Sequence, residues 1–134
     1  MGRWVEREHT ADALLTVWGD DLADLFITAA RATFALIAPW GEGESVVVRI
    51  TLSAPDVETL LVDWLNELLY HAEREPLRTF HTFRLHRLTE RELEATVEGR
   101  EVEGWRTYVK AATFHNLKVR REPEGYRADI TFDL

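Results

Sequence analysis

Four short stretches hold the side chains from which chemistry could be built. The first is His9-Thr10-Ala11-Asp12, an imidazole and a carboxylate within one turn of chain. Structurally it reads as a connection between two strands, with Asp12 able to close a turn through its own carboxylate. Chemically it offers a hard oxygen ligand beside a base. The second is Lys110-Ala111-Ala112-Thr113-Phe114-His115, where a lysine and a histidine interrupt a strand that should otherwise be apolar. Five residues apart on an extended chain, Lys110 and His115 face opposite ways and would not share a ligand without a bulge. A single histidine on a strand more often serves as a satisfied core or rim residue. The third is Phe132-Asp133-Leu134, in which Asp133 precedes a terminal α-carboxylate. The fourth, Trp64-Leu65-Asn66-Glu67-Leu68-Leu69, supplies core residues at helical spacing, and Asn66 and Glu67 fall on the opposite, solvated side.

If Asp12 and Asp133 converge, they form an oxygen-rich pair suited to Ca²⁺ or Mg²⁺. The chain has no cysteine, so no thiolate is present to hold zinc, act as a nucleophile or form a disulfide. Other catalytic signatures are missing as well: no P-loop, no Gly-rich dinucleotide turn, no H-E-x-x-H and no nucleophile elbow.

The elements that must position these residues follow from periodicity. Leu22, Leu25, Phe26, Ala29, Ala30, Phe34 and Ile37 make one helical stripe over residues 20–38, with Asp20 as N-cap and Pro39 as terminator. Val57, Leu60, Leu61, Trp64, Leu65, Leu68 and Leu69 make a second over 56–74, opened by Asp56 and closed by Pro76. Elsewhere the period is two. Val46, Val48, Ile50 and Leu52 share a face, as do Leu93, Ala95 and Val97, and again Tyr126, Ala128, Ile130 and Phe132. Residues 4–7 and 14–18 read as further strands, 89–92 and 122–125 as hairpin turns, and the Gly- and Glu-rich stretch 99–104 as a mobile loop. The order is β-β-α-β-α followed by several strands. It predicts one α+β domain over residues 1–134, two-layered, with a largely antiparallel sheet and both helices packed on one face.

Composition narrows the function. Apolar residues make up 46% of the 134, enough for a core. No run approaches a membrane span, no signal peptide opens the chain, and a cytoplasmic location is the expectation. The formal charge of −8 disfavours autonomous binding to nucleic acid and favours basic proteins or hard cations. The same charge also serves solubility alone.

Taken in order, His9–Asp12, Trp64–Leu69, Lys110–Leu117 and Phe132–Leu134 resemble the archease family, and the likeness covers essentially the whole chain. It departs from the family pattern at Ala13-Leu14 and at Asn116, where glycine is usual. The second departure matters only if that position needs φ > 0, which Asn tolerates. The resemblance implies an accessory protein, not an enzyme, that activates the GTP-dependent RtcB-type RNA ligase of tRNA splicing and RNA repair, promoting its guanylylation and multiple turnover. It also implies a divalent-cation site, Ca²⁺ first with Mg²⁺ or Mn²⁺ as alternatives, at Asp12, Asp133 and a backbone oxygen of Leu134. His9 and Lys110 match functional motif positions without assigned roles. The alternative from another class is a metal-dependent phosphoester hydrolase built on Asp12, Asp133 and His9. A third is a chaperone or scaffold in which any metal is structural.

Overall fold

In a computed structural model describing residues 1–7 and 12–134, the order is β1 (Arg3–Arg7), β2 (Asp12–Gly19), α1 (Leu22–Ile37), β3 (Pro39–Trp40), β4 (Ser45–Ser53), α2 (Val57–Ala72), β5 (Arg78–Leu88), β6 (Glu92–Glu101), β7 (Gly104–Trp105), β8 (Ala111–Thr113), β9 (Val119–Glu122) and β10 (Gly125–Asp133). The α+β class holds, and every strand pairing among the described residues is antiparallel. The strands are shared among three sheets. Five lie in the order β1-β2-β10-β8, with β9 also on β10, three lie in the order β4-β6-β5, and β3 pairs with β7.

Both helices form for the reasons their sequences give. Asp56 caps α2 by accepting the Thr59 N–H at 2.8 Å. In α1 the cap is Asp21, one residue later than expected, accepting from Asp24 N–H at 2.7 Å. Asp20 is drawn away: its N–H donates to the Asp24 carboxylate, and its own carboxylate takes the amino group of Met1. The helix stops at Ala38, which turns left-handed at φ 50°.

α1 packs on β2, β10 and β5, and α2 on β8, β4 and β5, so the helices join the inner faces of the two larger sheets. Trp64, fully buried, ties helix to helix by donating its Nε1–H to the Phe26 carbonyl at 3.0 Å. Its ring meets Phe83 edge-on, and Phe83 and Phe80 close on Phe34. The expected core residues Leu65, Leu68, Phe26, Phe34 and Ile50 are buried, while Val48 is only half-buried at the rim.

Residues 99–104 are not the loop that their composition suggests. Gly99 to Glu101 continue β6, and Gly104 begins β7. Gly99 lies so close to β5 that a Cβ there would meet the Thr79 carbonyl oxygen at 1.8 Å. The glycine therefore serves a close strand approach beside the β5 bulge at Phe80/Thr82, not mobility.

Candidate functional site

β2 and β10 run antiparallel in unbroken register from Tyr126↔Gly19 to Asp133↔Asp12. Ala13, Leu15 and Val17 of β2 point into the core beside Ala128, Ile130 and Phe132 of β10. Strand alternation then sends Asp12, Leu14, Thr16 and Trp18, with Arg127, Asp129, Thr131 and Asp133, to the outer face, which neither helix covers.

At one end of that face Asp12 and Asp133 are direct cross-strand partners. Asp12, expected in a loop, is the first residue of β2 and is half-buried; Asp133 is exposed. Directly opposite residues bring their Cβ atoms to about 5 Å.

Three contacts hold this end in place. The Lys110 N–H donates to the Asp133 carbonyl at 2.9 Å. Ala111 then pairs with Asp133 as β8 joins β10. On the other side of β8 stands Asn66 of α2: its Nδ2 donates to the Ala112 carbonyl at 3.1 Å, and the Ala112 N–H donates to its Oδ1 at 2.8 Å. Asn66 is therefore not a solvated bystander. It closes the free edge of β8 as a neighbouring strand would, and so fixes the backbone beside Asp133. Glu58 does the same for β9, accepting the Val119 N–H at 3.0 Å. Glu67, by contrast, faces His71 one turn on, at 3.1 Å.

The expectation of one strand through Lys110–His115 fails. β8 ends at Thr113, and the chain turns through Asn116, whose φ is 52°. Asn116 thus takes a left-handed position that asparagine tolerates. The turn carries His115 out of the core to an open cleft of about 320 Å³ lined by Asp12, Leu14, His115, Asn116, Asp129 and Thr131. Sequence reasoning missed His115 as a neighbour of this cleft, because its position depends on where β8 ends. Lys110 is exposed beside Asp133, Leu134 is also exposed, and His9 lies outside the described residues.

Two carboxylates on adjacent strands are the oxygen type that a hard cation takes. Among the described residues no group of three or more His, Asp or Glu side chains converges to hold a metal. Any cation here would rely on the two aspartates, backbone oxygen and water.

Residues 4–134 match the model of the Archease protein family (MTH1598/TM1083). The chain belongs to the archease family. It is 34% identical over 136 residues to a protein archease of Methanosarcina acetivorans, covering 95% of this chain and 92% of that one. To the Methanopyrus kandleri archease it is 36% identical over 139 residues, covering 98% and 99%. The solution structure of Methanobacterium thermoautotrophicum protein 1598 superposes with a TM-score of 0.67 at 28% identity over 98% of each chain. The crystal structure of a Thermotoga maritima archease, described as a possible chaperone, gives 0.70 at 21% identity, covering 96% of this chain and 94% of that one, and shows the shared fold. Archease membership accords with an accessory role in place of catalysis. No helix among the described residues is long and apolar enough to cross a membrane.

Proposed function

We propose that this archease-family chain activates a GTP-dependent RtcB-type RNA ligase by presenting the Asp12–Asp133 end of its sheet to the ligase active site. The observation that carries the reading is the register of β2 on β10, which sets the two carboxylates directly opposite each other on an open face. A divalent cation would bridge the two carboxylates, whose oxygens suit Ca²⁺, Mg²⁺ or Mn²⁺. A bound cation would supply a positive centre for phosphate oxygens. Asp12 and Asp133 would hold it, with a Leu134 backbone oxygen as a further donor.

Lys110 orients this end through its backbone bond to Asp133, and Asn66 holds β8 beside it. An exposed acidic end on a rigid sheet is suited to entering a partner's pocket, since its backbone is fixed before contact. The test is guanylylation of the cognate ligase with and without stoichiometric amounts of this chain, and with Asp133→Asn. Stimulation by wild type that the variant loses supports the reading, and no stimulation by wild type overturns it. Phosphatase assay of the isolated chain with Mg²⁺ or Ca²⁺ tests the hydrolase alternative, which turnover would favour.

A further inference from the structure

The far end of the same outer face carries a row of arginines, with Asp20, Glu122 and Glu124 lining a pocket beside Arg3 and Trp18. Arg3 of β1 pairs with Trp18 of β2, Trp18 with Arg127 of β10, and Arg127 with Arg120 of β9. One cross-strand row thus holds three arginines and a tryptophan. At about 4.8 Å per strand it spans ~14 Å. The Arg3 guanidinium stacks on the Trp18 ring at 3.6 Å, and that of Arg127 lies 5.6 Å from its centroid.

Charge pairing within the protein does not account for this row. Among the described residues no carboxylate pairs with Arg3 or Arg120. Arg127 reaches Asp129 only at 3.5 Å, and its buried Nε has no partner. Asp129 is already engaged by the Thr16 hydroxyl at 2.7 Å. Arg120 and Arg127 are like charges placed directly opposite, an arrangement that opposes folding. Trp18 compensates Arg3 and Arg127 in part, but Arg120 is left with no such contact, and breaches of a local stability rule are expected chiefly at functional sites.

We infer that the Arg3–Trp18–Arg127–Arg120 row binds single-stranded nucleic acid, with phosphates on Arg120 and Arg127 and a base stacked over the Arg3–Trp18 pair. Three unpaired or weakly paired guanidiniums complement a phosphate chain, and the planar Arg3–Trp18 stack offers the flat surface that unpaired bases use. An acidic peptide would satisfy the charges but leave that stack unused, and a duplex has no free base to place there. The net charge of −8 does not exclude this binding, because screening confines charge effects to about 8–10 Å. The Asp12–Asp133 end lies ~20 Å away, six residues along the strands, while the nearer Asp20, Glu122 and Glu124 lower the affinity that the arginines supply. The inference does not depend on the proposed ligase activation.

The experiment is fluorescence anisotropy of the full chain with a labelled twelve-nucleotide oligouridine across a salt series. Parallel arms use the matching DNA strand, a duplex RNA and an oligoglutamate peptide of similar charge. Binding to the single strands should weaken with salt, with a log–log slope of about −1.4 for the two phosphates neutralised by Arg120 and Arg127. R3A/R120A alters two exposed side chains, one under the base and one on a phosphate; it should weaken binding at least tenfold and flatten the slope by about 0.7. R49A/R84A, an equal charge change on the outer face of the three-stranded sheet, should change affinity less than threefold. Trp18→Leu should lose affinity without changing the slope. No binding at low salt, equal losses in the two double variants, or equal or tighter binding of the duplex or the peptide would each overturn the inference. Asp133→Asn should leave this binding intact, which separates it from failure of the ligase reading.

Discussion

The two ends of one sheet face are built on the same device with opposite sign. Asp12 faces Asp133 at one end, and Arg127 faces Arg120 at the other, each a like-charge pair in direct register. They differ in how the chain holds them. The acidic end is fixed through backbone: Lys110 bonds to Asp133, and Asn66 closes β8. The basic end is organised through side chains, by guanidiniums stacked about Trp18. Backbone fixing suits a site whose ligands must keep set distances. Side-chain stacking suits a surface that accepts a variable chain.

The largest expected effect separates the ends by function. Asp133→Asn should lower ligase activation at least tenfold while changing stability by about 0.5 kcal/mol or less, the usual range for an exposed position. Thermal unfolding beside the guanylylation assay measures both. Loss of fold together with activity would mean that the acidic pair is structural, and the contrast between the ends would collapse.

Next comes the backbone clamp. Asn66→Ala removes the partner of both the Ala112 N–H and its carbonyl in a half-buried setting. Stranding such groups costs about 1–3 kcal/mol. Denaturant unfolding should show that loss, and hydrogen exchange should show faster exchange at Ala112 with little change along β9. Equal loosening of β9 would mean that α2 holds both ends as one unit.

How much of this was legible in sequence depends on the period that each residue obeys. Both helix stripes and the β10 alternation survive into the structure, because one buried face enforces each of them. The Asp133 orientation follows from that same alternation. β5 is harder to read: bulges at Phe80/Thr82 and Leu85/Arg87 reset its alternation twice, so its eleven residues show no single period. Asn66 was misjudged because helical spacing says which side of the stripe a residue takes, not that β8 arrives there with an open edge. The Arg3–Trp18–Arg127–Arg120 row escaped because it joins residues from four strands, and strand order is not written in any local pattern. His9, central to the first motif, falls outside the described residues.

A smaller effect tests whether the basic pair costs stability. Arg120→Thr keeps a good strand former and removes the charge opposite Arg127. It should stabilise the fold by about 0.2–1 kcal/mol at low salt, and the gain should shrink as salt screens the repulsion. Urea midpoints at two ionic strengths are sufficient. A loss of stability would mean that Arg120 has a favourable role within the fold, and the argument that a ligand shaped the row would weaken.

The smallest effect lies in the helix that serves both ends. α2 sends Asn66 to β8 and Glu58 to β9, and its first turn is capped by Asp56. The Thr59 N–H bond holds the Asp56 carboxyl below the usual aspartate range. A carboxyl with a lowered folded pKa favours the folded state above its unfolded value and loses that contribution as pH falls through the folded one. Asp56→Asn keeps a good capping residue while removing the charge, so it isolates the charged part of the cap. Wild type should therefore be the more stable of the two near neutral pH, by a small margin because the group is exposed. The margin should shrink as pH drops below about 4 and vanish once Asp56 is protonated. Paired urea titrations from pH 7 to pH 2.5 would record it. If the cap steadies the β9 side more than the β8 side, the Val119 amide, held by Glu58 in the first turn, should gain exchange before Ala112, held by Asn66 two turns further on. Simultaneous loss at both amides would show that the helix transmits the change as a rigid rod, and that the two ends differ only in charge.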